Sequence, residues 1–296
     1  LEVGHPPGNP VFQLIARFFT MFTGPEHAAV MVNAMSALCS AFTIFFLYLT
    51  IVFFAKRLVP RRTGAGEDEY SAGSAIAIIG SGAVGALAYT FSDTFWFSAV
   101  EGEVYAMSSL FTAMVVWAMT KWYEEKDRRY CNRWIVLISF LMGLSIGVHL
   151  LNLLAIPFMV FMYYYKERED KPLTFWEIIK ILLLSVVILG FTVFLFVPLF
   201  PKVAAFFDRL FVNGLHAPYN VGAAVFMAGV LALCFWGLFA TLRKGKVFWN
   251  TLLLCLTSVV IGFSLFSIVI IRSCAKTPTN EYQPDNAFTL VRYLSR

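Results

Sequence analysis

Long uncharged apolar stretches alternate with short polar ones along the chain, and this alternation predicts the architecture. Six apolar stretches lack Asp, Glu, Lys and Arg, and each can cross a bilayer core of about 30 Å as a helix. They are residues 28–54, 72–91, 104–120, 181–197, 221–242 and 247–271. Their apolar residues do not alternate with polar ones as in the strands of a transmembrane barrel. The pattern therefore predicts an all-α, polytopic transmembrane helical bundle.

A seventh apolar stretch, residues 134–165, has an unsuitable length for either one span or two. As one helix it would measure about 48 Å, well beyond the bilayer core. Its middle contains Gly143, Gly147, His149 and Asn152. We expect two short helices that form a hairpin turning near His149, because protein or a water-filled cavity can satisfy such an interrupted backbone. The bundle then has about eight membrane helices, two of them in the hairpin.

The polar segments divide the chain into three parts. Residues 1–26 are expected to form an external loop with an interfacial amphipathic helix at residues 10–22, which is too short to span. Residues 27–271 form the transmembrane domain, in which the proline-containing stretch 198–220 is expected to be a loop. Residues 272–296 form an external tail. Because the chain opens without Met and stops without an obvious end, we expect a fragment that lacks a further C-terminal part.

Charge is scarce and concentrated in short loops. Charged residues make up 14% of the chain, against about 25% in soluble domains. Fifteen Lys and Arg residues lie in four stretches: residues 56–70, 121–133, 166–174 and 243–246. The positive-inside rule predicts that these loops are cytoplasmic, and it explains the net charge of +5 without nucleic acid. The five scattered cysteines and the remaining residues show no metal-binding, disulfide or nucleotide-binding motif.

The most unusual polar segment is residues 92–105, with the sequence SDTFWFSAVEGEVY, between two apolar stretches. Asp93, Glu101 and Glu103 lie here among aromatic residues, at the expected external edge of the membrane. Aromatic rings with a polar group favour the membrane interface. One interpretation is a solvated loop with an aromatic belt, and the other is a functional acidic site. The sequence leaves both open.

Other polar candidates also have two interpretations. His5 in the GHPPG turn is either a rigid corner or a functional side chain, and His149 is either a buried histidine with a partner such as Asn152 or a site residue. Residues 280–287, NEYQPDNA, contain Asn280, Glu281 and Asp285, which suit an ordinary turn. The spans lack the ionisable groups typical of ion-coupled transporters. This favours an enzyme with a lipid-linked substrate over a lipid or solute transporter or a non-catalytic membrane scaffold.

Four segments resemble a known family in content and order. They are LEVGHPPGNPVF, DTFWFSAVEGEVYAMSSLF, GLSIGVHLLNLLAIP and NEYQPDNAF. The chain resembles a bacterial family of unknown function, most familiar from the Bacteroidota, that is related to the animal transmembrane O-mannosyltransferase. The resemblance implies a GT-C-like fold and a membrane glycosyltransferase. Such an enzyme transfers a sugar from a polyprenyl-phosphate donor to an acceptor, such as a protein Ser or Thr, at the external membrane face.

The resemblance also implies the site. The family's acidic motif precedes HPPG, so the main catalytic acid is expected upstream of Leu1, and no catalytic residue is named within the chain. The candidates for substrate binding are His5, Glu101, Glu103, Tyr105, His149, Asn152, Arg272, Glu281 and Asp285. No cofactor is expected apart from the lipid-linked sugar donor, and the metal requirement stays open. The implied partners are membrane lipid and a translocated protein acceptor, and the implied location is the bacterial inner membrane.

Overall fold

The computed structural model describes residues 2–59, 70–125, 130–168 and 172–295, and within these ranges the chain is mostly helical and has no strand. The predicted loop residues 60–69, and parts of the two basic loops that follow, lie outside the described residues. Thirteen α-helices are present in the described ranges: α1 Pro10–Thr20, α2 Ala28–Leu58, α3 Ala72–Thr90, α4 Asp93–Val100, α5 Val104–Glu125, α6 Arg133–Ile146, α7 Ile156–Glu167, α8 Phe175–Gly190, α9 Val197–Leu215, α10 Val221–Arg243, α11 Val247–Phe263, α12 Ser267–Cys274 and α13 Ala287–Leu294.

The predicted helical bundle is confirmed. Five helical segments of the described chain are long and apolar enough to cross a membrane: Pro25–Leu58, Ala72–Thr90, Phe175–Leu215, Val221–Arg243 and Val247–Cys274. Helices α4 and α5, which meet at an angle of 113°, are long and apolar enough only as a pair, and they bring the candidate spans of the described ranges to at most six. The shorter apolar helix α6 packs in the same bundle.

The predicted hairpin is present, and its turn falls at the expected residues. Helix α6 ends at Ile146, a 3-10 turn covers Leu150–Ala155, and α7 follows. Both outer ends return to the end of α5, since Trp134 donates a hydrogen bond to Glu125 at 2.9 Å and Tyr163 stacks on Trp122 at 5.3 Å. The two helices therefore enter and leave the bundle on one side.

The basic segments meet at one end of the bundle, as the charge pattern predicts. The Arg57 guanidinium carbon lies 5.0 Å from the ring centre of Tyr123, and the Lys166 Nζ lies 4.9 Å from the same ring centre. Asn132 Nδ2 donates to Thr251 Oγ1 at 3.1 Å, which brings the start of α6 to the start of α11. We call this the basic end. The opposite end carries the N-terminal segment, the apex of the hairpin and the C-terminal tail, and we call it the site end.

The expectation of a loop at residues 198–220 was wrong, because Val197–Leu215 is helical. Pro198 lies in the first turn of α9 and Pro201 lies inside this helix. A π-helical stretch, Phe191–Phe196, joins α8 to α9. Helix α9 then packs on α10 through Phe207, whose ring centre lies 5.1 Å from that of Phe226. Tertiary packing of apolar residues at helical spacing outweighed the two prolines.

The stretch 92–105 is also more regular than a loop. Residues Asp93–Val100 form α4, whose first turn carries Asp93, where a negative charge interacts favourably with the helix dipole.

Glycines permit the close crossing between α6 and α11. A Cβ at Gly143 would lie 2.5 Å from the Val259 carbonyl oxygen, and a Cβ at Gly262 would lie 2.6 Å from the Leu144 nitrogen. Only glycine permits this approach, as is common between membrane helices.

Candidate functional site

The N-terminal segment pairs with the C-terminal tail at the site end. Val3 donates its N–H to the Thr279 carbonyl at 3.0 Å and accepts from the Glu281 N–H at 3.0 Å. The Tyr293 hydroxyl, on α13, donates to the Gly4 carbonyl at 2.8 Å. These bonds bring the GHPPG segment against the NEYQPDNA segment, two motifs from opposite ends of the sequence.

The paired segments place a histidine beside a carboxylate. His5 Nδ1 lies 3.5 Å from Glu281 Oε2, and the two side chains are 82% and 42% exposed. The buried Tyr293 hydroxyl lies beneath them. Burial, together with the nearby charge of Glu281, raises the pKa of Tyr293 to about 12. Tyr293 therefore stays protonated and keeps donating its hydrogen bond at neutral pH.

The apex of the hairpin forms the second part of the site. His149 Nδ1 accepts a hydrogen bond from the Leu151 N–H at 3.1 Å, and its ring centre lies 5.5 Å from that of Tyr105. Asn152 is not its partner. Asn152 is fully buried, its amide nitrogen lies 3.3 Å from Met142 Sδ, and its Oδ1 has no partner among the described residues.

A backbone hydrogen bond joins the two parts. The Val11 N–H, in the first turn of α1, donates to the Gly147 carbonyl at the hairpin apex at 3.0 Å. A Cβ at Gly147 would lie 2.7 Å from Val11 Cγ2, so glycine is needed for this approach. Helix α1 begins shortly after the GHPPG segment, and Val11 is close to His5 along the chain. The hydrogen bond from Val11 therefore holds the hairpin apex near the segment that carries His5.

The two glutamates of the acidic stretch lie at the bend between α4 and α5. Glu101 and Glu103 are exposed, and neither has a hydrogen-bonding or ionic partner within the described ranges. Gly102 between them packs on the start of α2, where a Cβ would lie 3.0 Å from Val32 Cγ1 and 3.1 Å from Asn33 Oδ1. The bend thus holds two unshielded carboxylates against the start of α2.

A cleft of about 340 Å³ lies between the N-terminal segment, α1 and α2, and it contains several polar side chains. Its lining includes Glu2, Gln13, Arg17, Thr20, Val32 and Thr279. Val32 is the residue on which Gly102 packs, so the cleft and the acidic bend share a wall. Arg17 is exposed and donates to Thr20 Oγ1 at 3.4 Å. The cleft therefore carries the Arg17 guanidinium group, and it shares Val32 with the bend that carries Glu101 and Glu103.

The remaining predicted residues have different surroundings. Arg272, on α12, lines a small space with Glu2, Gln13 and Tyr293 behind the N-terminal segment. The Asp285 carboxylate accepts from Asn286 Nδ2 at 2.8 Å and Thr289 Oγ1 at 3.3 Å, at the start of α13. Asp285 therefore holds the start of its own helix. Six of the nine predicted residues, His5, Glu101, Glu103, Tyr105, His149 and Glu281, lie around the connected segments described above.

Sequence reasoning missed Asp208. This carboxylate is completely buried, and it accepts hydrogen bonds from the N–H groups of Asn220, Gly222 and Ala223, at 3.0–3.3 Å. Asn220 in turn donates to the Asp285 carbonyl at 3.0 Å. Asp208 thus anchors the start of α10 and, through Asn220, the tail that carries Glu281. The available signal was a lone acid in an apolar segment, which is costly unless it is hydrogen-bonded.

No group of three or more His, Cys, Asp or Glu side chains is placed to hold a metal ion in the part of the chain that the structure describes.

The model of one protein family, the protein O-mannosyl-transferase TMEM260 N-terminal domain, matches residues 1–172. The chain belongs to this family. The matched part contains the GHPPG segment, the acidic bend and the hairpin, and the family relation inferred from the four motifs is thereby confirmed.

A relative in Dictyostelium discoideum, named protein O-mannosyl-transferase tmem260, is 25% identical over 215 residues. The similarity covers 68% of this chain and 23% of the relative, so the chain spans less than a quarter of that protein's length. No solved structure matches the chain. Family membership, together with the apolar helices, identifies an integral membrane protein related to membrane glycosyltransferases.

Proposed function

We propose that this chain is the membrane part of a glycosyltransferase that moves a sugar from a polyprenyl-phosphate donor to a hydroxyl group of a protein acceptor. The observation that carries the proposal is the convergence of four distant segments at the site end. A membrane bundle needs no such arrangement to span the bilayer, whereas an enzyme needs several functional groups within reach of one substrate.

The proposed reaction has simple proton and charge requirements. The acceptor oxygen attacks the anomeric carbon, the bond from that carbon to the phosphate oxygen breaks, and the lipid phosphate leaves with the electron pair. A carboxylate can take the acceptor's proton as a general base. Glu103, with Glu101 second, suits a supporting acidic role, because both carboxylates are exposed and have no protein partner in the described residues.

The leaving phosphate needs positive charge or hydrogen-bond donors. Arg17 supplies a guanidinium group in the cleft that adjoins the acidic bend. His5 supplies a ring nitrogen on the neighbouring segment, next to Glu281. We assign these residues to binding and orientation of the substrates. The proposed donor is lipid-linked, which fits a site at one end of a membrane bundle.

The site end is proposed to face away from the cytoplasm, and the membrane is proposed to be the bacterial inner membrane. The basic end carries the Lys- and Arg-rich loops, which favour the cytoplasmic side. Single cysteines placed at Gly245 and Asn213, in a protein without its native cysteines, test this orientation. We expect a membrane-impermeant thiol reagent to label Asn213→Cys in intact cells and Gly245→Cys only after lysis. The reverse pattern would contradict the orientation.

Activity is best tested in the full-length protein with matched pairs of variants. Glu103→Gln keeps the side chain's size and removes its charge, and His5→Ala leaves the Pro-Pro turn intact. We expect each to reduce sugar transfer at least tenfold without changing the thermal unfolding temperature. The controls are Glu26→Gln and His27→Ala, which alter an exposed pair 3.3 Å apart, outside the site.

The outcome separates three functions. Full activity in Glu103→Gln and His5→Ala would remove these residues from the site. Absence of transfer by the wild-type protein, together with flux of a lipid or solute across proteoliposomes, would favour a transporter. Absence of both activities would favour a scaffold.

A further inference from the structure

A long groove lies between α3 and α5, with α2 as its floor. Both helices pack on α2, and the space between them is about 460 Å³. Thr43 and Thr50 line it from α2, Tyr89 from α3, and Tyr105 and Thr112 from α5. Because these helices span the membrane, the groove runs beside the lipid chains.

The groove is less polar than its hydroxyl groups suggest. Thr43 Oγ1 donates to the Cys39 carbonyl at 2.9 Å, and Thr50 Oγ1 donates to the Phe46 carbonyl at 2.9 Å. Thr112 Oγ1 likewise donates to the Ser108 carbonyl at 3.0 Å. The hydroxyl proton of each threonine is therefore donated to a carbonyl of its own helix and is not available to a ligand. The surface left for a ligand is mostly apolar, which suits a hydrocarbon chain.

The groove has the direction and length of such a chain. Along α5 it extends from Tyr105 to Val116. At 1.5 Å per residue this is about 16 Å, or about half the thickness of the bilayer core. The groove thus starts at the site end and continues toward the middle of the membrane, parallel to the surrounding lipids.

Its mouth coincides with the candidate site. Tyr105 lies at the mouth together with Leu151 of the hairpin apex, and the Tyr105 ring lies 5.5 Å from that of His149. Glu103 is two residues away. Two other large apolar cavities in the described residues, of about 480 and 570 Å³, are lined by none of the nine predicted site residues. Of these three cavities, only the groove is lined by a predicted site residue, which is Tyr105.

We propose that this groove holds the isoprenoid chain of the lipid-linked donor, with the sugar-phosphate end beside Tyr105 and His149. The inference rests on the proposed glycosyltransferase function, and it adds the position and orientation of the donor. The donor enters sideways from the bilayer between α3 and α5, and its phosphate stops at the site end.

Donors of two chain lengths test the groove in the full-length protein in lipid nanodiscs. Ala113 lines the groove, so Ala113→Trp fills it. We expect this variant to raise KM at least tenfold for a long-chain polyprenyl-phosphate sugar, and to leave kcat and the KM of a donor cut to two isoprene units unchanged. The matched control is Ala77→Trp, on the exposed face of α3, which should change neither value.

A second measurement uses the wild-type protein, so it does not depend on the variant's folding. A donor analogue with a photoreactive group at the far end of its chain should label peptides of α2, α3 and α5, and unlabelled donor should compete. Labelling of α9 to α12 instead, or unchanged discrimination between chain lengths in a folded Ala113→Trp variant, would overturn the proposal.

The controls separate this inference from the function on which it rests. If a photoreactive phospholipid labels the groove and the donor analogue does not, the groove holds a structural lipid and the inference is wrong. If the wild-type protein transfers no sugar from any polyprenyl-phosphate donor, the proposed function fails. The labelling experiment still reports in that case whether the groove binds an isoprenoid phosphate.

Discussion

Helices α5 and α10 have nearly the same length but opposite surroundings. Ten residues of α5 are buried, whereas Gly222 and Cys234 are the only buried residues of α10. The more buried helix is also the richer in Ser and Thr, with Ser108, Ser109, Thr112 and Thr120, where α10 has only Thr241. In a membrane, polar groups favour the protein interior and apolar groups favour lipid. High hydropathy therefore identifies a membrane span. Polar residues within a span identify it as one that packs at the centre of the bundle.

The largest expected effect tests whether the centre is tightly packed and the periphery loose. Gly143→Leu should lower the free energy of unfolding by about 3 kcal/mol or more, because its Cβ would lie 2.5 Å from the Val259 carbonyl oxygen. Gly229→Leu is the matched change on α10, where a Cβ meets no atom within 4 Å, and it should be nearly neutral. Thermal unfolding in detergent measures both. Equal destabilisation would contradict the difference between the two regions.

The next prediction asks what holds a peripheral helix that has few buried side chains. Asp208→Ala leaves three N–H groups at the start of α10 without their acceptor, and should cost about 3 kcal/mol. Asp285→Ala removes an exposed carboxylate and should cost less than about 1 kcal/mol. Unfolding of the two variants under the same conditions gives the comparison. A small effect at Asp208 would mean that packing on α9 and α11, together with lipid, holds α10 in place without this carboxylate.

A third prediction concerns the tail and uses pH. The folded state raises the pKa of Tyr293 from 10.0 to about 12, so the folded state holds its proton more tightly than the unfolded state. The corresponding stabilisation, on the order of 3 kcal/mol, is present below pH 10 and is lost as pH rises to about 12. Protection of the Val3 amide from hydrogen exchange should fall in this window.

Tyr293→Phe is the control for this titration, because it cannot ionise and cannot donate to the Gly4 carbonyl. It should lower amide protection at Val3 at neutral pH and abolish the loss between pH 10 and 12. A loss in that window of the same size as in the wild-type protein would assign the titration to another group.

The smallest expected effect separates the two faces of α1. Phe19 packs on the hydrophobic core, whereas Phe18 is 57% exposed. Phe19→Ser should therefore cost about 2 kcal/mol of stability in detergent, and Phe18→Ser less than about 1 kcal/mol. Phe18→Ser should instead weaken the contact of α1 with the membrane interface. The depth in the membrane of a fluorescent probe attached at position 21 measures this contact. Identical stability losses would show that both faces pack on protein.

The sequence predicted the spans, the hairpin and the clustering of basic loops, because each depends on local composition or on length. It did not predict helix α9, since packing on α10 and α13 outweighed the local signal of Pro198 and Pro201. It also missed Asp208, whose role depends on backbone groups of Asn220 and Gly222 in the next helix. Long-range backbone pairing, such as that of Val3 with Thr279, has no periodicity that one sequence reveals.

The same limit applies to the candidate site. His5, Glu103, Tyr105 and His149 were grouped by resemblance, and the geometry then placed their segments at one end. Asn152 was one suggested partner of a buried His149, but the first turn after the apex presents the Leu151 N–H to the imidazole instead. Asn152 turns inward toward Met142. Which side chains of an apex face inward depends on the turn's backbone geometry, which composition does not specify.

The bond from Tyr293 to Gly4 joins residues 289 positions apart, and this separation sets an order of assembly. Chain segments emerge from the ribosome in sequence order, so the GHPPG segment, the acidic bend and the hairpin are made long before the tail. Closing so long a loop carries an entropic cost that local helix formation does not. The GHPPG segment therefore lacks its partners in the tail until α13 has been synthesised. The bundle can be inserted and largely packed while its site end is still open, and completion of the tail is the event that closes it.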